Sequence, residues 1–310
     1  MMFTDKHMDI DSSIEFVNRI DLSPEKRQFF SESGFIKIEN FFTEESVLKL
    51  RQLVYNSNQL RNVAGEHFPG EFSTVGYEGY DVEKLVTDSI CYSDNFQYVM
   101  SQLMNHNIIF TQGIGFELKH NHRGLFWHCD IISFSYIMPE DLGYSLWIPL
   151  DPINTSLQHG GLACVPRKIY SAQEQFALIY QITRQPDFFE FLQTEDFYNM
   201  GFASKVEDFI IERNKIEYDF SIGDVLLFDK FVWHRSCPFK QGDLPSRMAY
   251  TMRFIDCKAR YSKFLRDGVN MKLKETGEKY TPEKSTYNFG DRLSNLEEGE
   301  AIGELSWLKK

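Results

Sequence analysis

A histidine and an aspartate stand two positions apart in the apolar stretch GLFWHCDIISFSY, residues 124–136. Burying a carboxylate among aromatic and β-branched residues is costly unless a partner neutralises it. In a strand, residues i and i+2 point to the same face, so His128 and Asp130 would aim together at one point. An imidazole and a carboxylate on one face can fill two positions of a divalent metal ion.

A second histidine, His234, lies in the comparable aromatic segment FDKFVWHRS. Two histidines and one carboxylate form the facial triad of non-haem Fe(II) oxygenases, which leaves positions open for a co-substrate and O2. We therefore predict that His128, Asp130 and His234 bind Fe(II). A satisfied core pair remains the alternative for His128 and Asp130, because the H-x-D pattern is weak evidence by itself.

Arg247 begins the strand-like segment RMAYTMRFID, in which a face of small and polar residues alternates with a large apolar face. A buried arginine needs an anionic partner, and its planar fork suits a carboxylate. Ser236 would share the face of His234 and could donate a second hydrogen bond. A dicarboxylate such as 2-oxoglutarate, bound to the metal at one end, would satisfy all of these groups. The alternatives are an internal salt bridge for Arg247 and a turn or cap hydroxyl for Ser236.

The secondary structure expected around these residues changes along the chain from helical to β. We expect a single domain over 1–310, with a helical part at about 22–107 and an all-β core at about 108–257. Short apolar runs between Gly, Pro and Asp turns predict a sandwich or barrel in that core. A helical insertion is expected at 171–215 and a polar C-terminal extension at 258–310.

The composition narrows the class of protein and of partner. The chain has 310 residues and a formal charge of −12, which argues against nucleic acid because phosphate binding needs clustered Lys and Arg. An apolar run of about 18 residues, as a membrane span needs, is absent from the sequence. Five cysteines without CxxC spacing favour a reducing compartment. We predict a cytoplasmic enzyme, monomer or homodimer, that acts on a small molecule and needs neither membrane nor nucleic acid.

An ordered set of motifs makes the chain resemble the phytanoyl-CoA dioxygenase family of Fe(II)/2-oxoglutarate oxygenases, over roughly residues 25 to 256. The motifs are HCD (128–130), WIPLD (147–151), GGLACVP (160–166), GDVLLF (223–228), WHRSCP (233–238) and SRMAY (246–250). The resemblance implies a mainly β fold with flanking helices, built on a cupin-like double-stranded β-helix, or jelly roll. It implies His128, Asp130 and His234 as iron ligands. Cys129 departs from the family, which often has Gln there.

The resemblance also assigns the co-substrate site and the chemistry. Arg247 would bind the distal carboxylate of 2-oxoglutarate with help from Ser236, and Trp147 would line that site unless it is an ordinary core indole. The implied reaction uses Fe(II), 2-oxoglutarate and O2 to oxidise an unactivated C–H bond of a small molecule, and it releases succinate and CO2.

Hydroxylation in specialised-metabolite biosynthesis is the outcome that we predict for this reaction. Oxidative cyclisation or desaturation is an alternative with the same cofactors. A metal enzyme without 2-oxoglutarate and a non-catalytic jelly-roll scaffold are the remaining alternatives.

The substrate is the least constrained part of the sequence. Gln112 and Glu117, in the strand before the metal motif, could face the cavity, although a solvated or ion-paired carboxylate is the alternative for Glu117. Phe126, the loop at 72–82 and the 171–215 insertion are candidates for the pocket wall and lid. Ordinary surface and core aromatics are the alternative for these segments.

Overall fold

A computed structural model of the chain describes residues 15–61, 86–119, 124–192, 201–240, 244–275 and 289–304. Its helices are α1 (Pro24–Ser33), α2 (Glu44–Arg61), a π-helix (Val86–Cys91), α3 (Asp94–Leu103), α4 (Gln173–Thr183), α5 (Phe188–Leu192), α6 (Lys205–Asn214) and α7 (Lys263–Glu275), with 3-10 turns at Phe289–Leu293 and Ile302–Glu304. Its strands are β1 (Phe35–Ile38), β2 (Ile108–Lys119), β3 (Gly143–Pro149), β4 (Leu162–Cys164), β5 (Ile216–Glu217), β6 (Val225–Asp229), β7 (His234–Ser236) and β8 (Ser246–Asp256).

These strands form two antiparallel sheets. The larger sheet has the order β1-β6-β3-β8-β2, and the smaller has the order β5-β4-β7. Trp147 and Ala249 of the larger sheet pack in one buried cluster with Leu162 and Cys164 of the smaller sheet, so the two sheets face each other. The predicted mainly β jelly roll with flanking helices is confirmed.

The N-terminal helices cover the outer face of the larger sheet. Strand β8 gives this face every second residue, namely Met248, Tyr250, Met252 and Phe254, which pack with buried side chains of α2 and α3. The intervening residues of β8 therefore face the interior between the two sheets. They are Arg247, Ala249, Thr251 and Arg253. The two-faced strand predicted from RMAYTMRFID is confirmed.

The first helix is capped at both ends. The side chain of Ser23 accepts a hydrogen bond from the backbone N–H of Lys26, and Pro24 occupies the first turn, where its missing N–H costs nothing. Gly34 ends the helix with a φ of 79° and donates its N–H to the carbonyl of Phe30. Helix α1 thus delivers the chain directly into β1, the edge strand of the larger sheet.

The buried strand predicted at LFWHCDIISFSYI is wrong in its extent. The segment makes only isolated bridges, from His128 to His234 and Phe202 and from Ile137 to Tyr261, and residues 131–136 are turns. The N–H of Ile131 bonds the carbonyl of Cys129, which folds the chain back just after the bridge. Asp130 therefore lies at the start of a turn, and its side chain still approaches the two histidines.

Helices α4, α5 and α6 occupy the predicted insertion. Helix α4 packs against α7 through a buried cluster that contains Phe176, Ile179 and Leu265. In the part of the chain that the structure describes, a helix long and apolar enough to span a bilayer is not found. The division into a single domain with an insertion and a C-terminal extension stays a prediction.

Gly223 begins the GDVLLF segment, and a side chain there is expected to destabilise the fold. Its φ is +94°, and an added Cβ would lie 2.4 Å from the backbone carbonyl oxygen of Phe42. We expect Gly223→Ala to lower the free energy of unfolding by about 2–4 kcal/mol, from the left-handed backbone and the clash together. Chemical denaturation measures the change.

Gly299→Ala is the matched control for this prediction. Gly299 also has a positive φ, +85°, but within 4 Å of its added Cβ the structure places no described atom outside its chain neighbours. This variant should show the backbone cost alone, about 1 kcal/mol. Equal losses in the two variants would contradict the role given to the contact with Phe42.

Candidate active site

Three side chains converge in the interior next to β7. Each of His128, Asp130 and His234 offers a ligand atom, and these atoms lie within 4.8 Å of one another. The Oδ1 atom of Asp130 is 3.9 Å from Nε2 of His234, and the two imidazole rings are 4.2 Å apart between centroids. Asp130 and His234 are buried, and His128 is half-buried. The three groups are close enough to share a single ion.

The backbone holds the two histidines directly opposite each other. The N–H of His128 donates to the carbonyl of His234 at 2.9 Å, and the N–H of His234 donates to the carbonyl of His128 at 3.0 Å. On its opposite edge, the backbone around His128 is hydrogen-bonded to the backbone at 201–203. This bridge therefore holds side by side two histidines that are 106 residues apart in the sequence.

Hydrogen bonds at the far nitrogens orient both imidazole rings. Nδ1 of His128 lies 2.6 Å from the carbonyl oxygen of Phe126, and Nδ1 of His234 lies 3.0 Å from that of Val232. A carbonyl only accepts, so each Nδ1 donates its proton there, and Nε2 is the atom that each ring has left for a metal ion. Metal-binding histidines are oriented in the same way.

The charges at the site suit a cation. Burial, and secondarily the neighbouring His234, lowers the pKa of His128 to about 3, so this ring is neutral at physiological pH. Burial alone would raise the pKa of Asp130, but the neighbouring His234 and Arg253 outweigh it and hold that pKa below its usual value. A neutral imidazole and an ionised carboxylate are the forms that bind metals.

Ser145 fixes the carboxylate and was missed in the sequence. Its hydroxyl donates to Oδ2 of Asp130 at 2.8 Å, which leaves Oδ1 turned towards His234. Ser145 stands two residues before Trp147 on β3, so both side chains point to the interior. The alternation of side chains along the strand could have indicated that Ser145 faces the interior. It could not indicate that the loop with Asp130 packs against Ser145.

Removing this hydroxyl is expected to weaken metal binding without abolishing it. Groups that hydrogen-bond a metal ligand typically contribute 10- to 100-fold to affinity, so we expect Ser145→Ala to lower Fe(II) affinity by about 10-fold. Anaerobic titration with Fe(II) measures the effect. Ser135→Ala is the control, because the Ser135 hydroxyl bonds only the carbonyl of Ile132 among its described contacts. Unchanged affinity in Ser145→Ala would contradict the assignment.

Arg247 lies deeper in the interior and lacks a full set of partners. It is 3% exposed, and its Nε atom is without a hydrogen-bond partner among the described residues. Burial lowers its pKa to about 10, while the negative charge of Asp151 acts in the opposite direction. The oxygens of Asp151 already accept from Arg51 and from the backbone N–H of Met248. A buried guanidinium of this kind is suited to an added carboxylate.

The other two residues predicted at the co-substrate site lie in the same interior. The guanidinium carbon of Arg247 is 5.3 Å from the ring centroid of Trp147, within cation–π range. Ser236 is half-buried on β7, and its hydroxyl accepts the backbone N–H of Leu125 at 3.1 Å. That bond leaves the hydroxyl proton able to donate. The co-substrate roles of Trp147 and Ser236 stay predictions.

The predicted substrate residues have different positions. Gln112 pairs with Arg253 across β2 and β8, so it faces the interior. Glu117 pairs with Met248 and shares its outward face, so the prediction that Glu117 faces the cavity is wrong. Phe126 is 51% exposed, and its contact with a substrate stays a prediction. The loop at 72–82 lies outside the described residues.

Glu212 of the insertion contacts the neighbours of both histidines, which the sequence did not indicate. Its carboxylate accepts from the indole N–H of Trp127 at 2.9 Å and from the guanidinium of Arg235 at 3.0 Å. Burial would raise the pKa of Glu212, but hydrogen bonds from Arg235, Lys215 and Trp127 hold it at about 2. Trp127 precedes His128 and Arg235 follows His234, so helix α6 is tied to both segments.

The residues present fit a divalent ion together with a dicarboxylate. Two imidazoles whose Nδ1 atoms are bonded to carbonyls leave their Nε2 atoms for a metal ion beside Asp130, and the buried Nε of Arg247 is an unsatisfied donor among the described atoms. Leaving such a donor unpaired costs about 1–3 kcal/mol or more for a charged group. An anion bound in the interior would remove that cost.

Comparison with protein families agrees with this geometry. Residues 30–249 match the family model of phytanoyl-CoA dioxygenase (PhyH), which is more than two thirds of the chain. The chain belongs to the phytanoyl-CoA dioxygenase family, and it is therefore an Fe(II)/2-oxoglutarate-dependent oxygenase that uses O2. The resemblance identified from the ordered motifs is confirmed. Among the curated proteins, none matches the sequence.

Solved structures show the same fold at low sequence identity. The non-haem alpha-ketoglutarate-dependent carbocyclase SnoK from nogalamycin biosynthesis aligns with a TM-score of 0.58 and 15% identity, over 91% of this chain and 94% of SnoK. EvdO2 from Micromonospora carbonacea var. aurantiaca, complexed with 2-oxoglutarate, gives 0.52 and 18%, over 78% and 94%. EctD from S. alaskensis, with 2-oxoglutarate and 5-hydroxyectoine, gives 0.55 and 15%, over 79% of each chain.

Proposed function

We propose that this oxygenase hydroxylates an unactivated C–H bond of a small molecule in a specialised biosynthetic pathway. His128, Asp130 and His234 hold the iron, and Arg247 with Ser236 and Trp147 receives the distal carboxylate of 2-oxoglutarate. The observation that carries this proposal is the pairing of a metal-competent triad with a buried guanidinium whose Nε atom has no partner among the described residues of the same interior.

The residues of the chain position the reactants and exclude water. Iron with 2-oxoglutarate and O2 supplies the oxidant that removes hydrogen from the substrate, and the co-substrate leaves as succinate and CO2. Ser145 keeps one oxygen of Asp130 occupied, and the carbonyls of Phe126 and Val232 keep the imidazoles aligned. Phe228 packs against the ring of His234 and shields it from solvent, with 4.6 Å between centroids.

The small-molecule substrate is proposed by analogy with proteins of the same fold. SnoK belongs to nogalamycin biosynthesis and EctD was solved with 5-hydroxyectoine. Because SnoK is a carbocyclase, oxidative ring closure is a second candidate outcome for this chain. Hydroxylation, cyclisation and desaturation begin with the same hydrogen removal, so product analysis has to separate them. The cytoplasmic location and the monomeric or homodimeric state stay predictions.

Anaerobic addition of Fe(II) and then 2-oxoglutarate tests the proposal. We expect a weak visible charge-transfer band that saturates at one equivalent of each, and succinate formation when O2 is admitted. A library of small metabolites is then screened for compounds that accelerate succinate release, with products identified by mass spectrometry. Iron binding without the band would favour a metal enzyme that does not use 2-oxoglutarate. Failure to bind iron would favour a non-catalytic scaffold.

A further inference from the structure

A second arginine lies in the same interior, at the metal end. Arg253 is 7% exposed, and its Nε atom is without a hydrogen-bond partner in the described part of the chain. Its Nη1 atom is 3.4 Å from Oε1 of Gln112, and its Nη2 atom is 3.9 Å from Oδ1 of Asp130. A guanidinium has five N–H donors, so one long hydrogen bond to a neutral amide leaves it poorly satisfied by the side chains that the structure describes.

The carboxylate of Asp130 does not complete this guanidinium. The 3.9 Å separation is too long for a hydrogen bond. Its Oδ2 atom accepts the hydroxyl of Ser145, and its Oδ1 atom is directed to the position shared with the histidines. A carboxylate that binds a divalent ion shares its negative charge with that ion, which leaves less of it for Arg253. A buried cation in this position calls for a further anion.

The sheet register separates this group from Arg247. Gln112, Arg253 and Ser145 form one row across β2, β8 and β3. Arg247 is six residues away on the same face of β8, a strand length of about 20 Å. Between the two arginines this face carries only Ala249 and Thr251, whose short side chains leave room for a ligand between the guanidinium groups.

We propose that Arg253 and Gln112 form a second anion-binding subsite, which binds a carboxylate group beside the metal. The inference rests on the proposed function and adds to it. Two molecules could bring that carboxylate: the 2-oxo acid, through the carboxylate next to its keto group, or an acidic organic substrate. In either case the planar fork of Arg253 donates to the carboxylate, and the amide oxygen of Gln112 holds the fork in place.

The test compares 2-oxoglutarate with 2-oxobutyrate, which keeps the keto group and its adjacent carboxylate but lacks the distal one. Fe(II)-loaded wild type, Arg253→Gln and Arg247→Gln are titrated anaerobically with each acid through the charge-transfer band. If the oxo acid fills the subsite, Arg253→Gln weakens both acids by about 10- to 100-fold. Arg247→Gln then weakens 2-oxoglutarate alone.

If an acidic substrate fills the subsite, Arg253→Gln binds both oxo acids as wild type does. Acetate and benzoate, added to the Fe(II)–2-oxoglutarate protein, should then alter the band of wild type and not that of the variant. Acetamide and benzamide are the matched neutral probes and should have no effect. Normal binding of both oxo acids, with the monocarboxylates acting on both proteins alike or on neither, would overturn the proposal.

A purely structural role for Arg253 gives a different result. If it only holds Asp130, Arg253→Gln lowers Fe(II) affinity and leaves the affinities for all the acids unchanged, which also overturns the proposal. Arg253→Lys keeps the charge but loses the planar fork, and it replaces the glutamine variant if that variant does not fold. In the same titrations, its affinity for the carboxylate ligands should fall by less than that of Arg253→Gln. A wild type without any band would defeat the proposed function itself. A band that depends on Arg247 alone, together with monocarboxylates that act on wild type and Arg253→Gln alike or on neither, defeats only this inference.

Discussion

Asp130→Asn is expected to lower the affinity for Fe(II) by more than about 100-fold. Asparagine keeps the shape of the side chain and can still accept the hydroxyl of Ser145. It removes the only negative charge of the triad, however, and a neutral amide is a poor ligand for a ferrous ion. Since loss of a group behind a ligand already costs 10- to 100-fold, loss of the ligand itself should cost more. Anaerobic equilibrium dialysis with Fe(II) measures the affinity.

Asp229→Asn is the matched control for this substitution. Asp229 is likewise a buried aspartate, but it ends a strand of the larger sheet, pairs with Arg167 and caps the backbone N–H of Phe231. Burial raises its pKa to about 6 despite the opposing charge of Arg167, so its loss is expected to affect stability and not iron binding. If Asp130→Asn bound Fe(II) as tightly as wild type, the assignment of Asp130 as a metal ligand would be contradicted.

Arg247→Gln is expected to lower the affinity for 2-oxoglutarate by at least about 100-fold and to leave Fe(II) binding unchanged. Glutamine replaces much of the buried volume but provides neither the charge nor the two-pronged donor geometry. Each hydrogen bond to a charged group is worth about 1.5–3 kcal/mol, and a bidentate pair doubles it. Titration of the Fe(II)-loaded protein with 2-oxoglutarate gives the dissociation constant.

Arg260→Gln controls for the loss of a guanidinium elsewhere. Arg260 pairs with Asp141 at 2.9 Å, and its side chain is 41% exposed. Its loss should therefore change neither the affinity for Fe(II) nor that for 2-oxoglutarate. If Arg247→Gln bound 2-oxoglutarate as tightly as wild type, the distal carboxylate would have to be held elsewhere. Loss of both iron and co-substrate binding in Arg247→Gln would instead indicate damage to the fold.

The fold was largely predictable because strand and helix signals in this chain are local. Ser23, Pro24 and Gly34 mark the ends of α1 by side-chain and backbone chemistry that needs no distant partner. The segment after His128 was not predictable in this way. Its apolar residues fit a strand, but the bond between Ile131 and Cys129 turns the chain, and the bridges to His234 and Phe202 depend on contacts distant in sequence.

In the candidate site too, the residues that the sequence could indicate differ from those that only the fold shows. The sequence could indicate His128, Asp130, His234 and Arg247 because their residue types are unusual in apolar segments. Ser145 and Glu212 act through contacts that only the folded chain creates, and their residue types are ordinary on a strand and on a helix surface. The error at Glu117 has a different cause, since the bulge in β2 near Gln112 sets which residues pair with β8.

The hydrogen bonds of Glu212 restrict how this enzyme can be re-engineered for other substrates. A chimera that replaces the helical insertion, which we predict to form the wall of the pocket, with that of a relative would also replace the acidic anchor of Trp127 and Arg235. Those two residues flank the predicted iron ligands, so substrate range and metal retention cannot be altered independently. A successful graft has to carry an acidic side chain at the corresponding turn of its last helix.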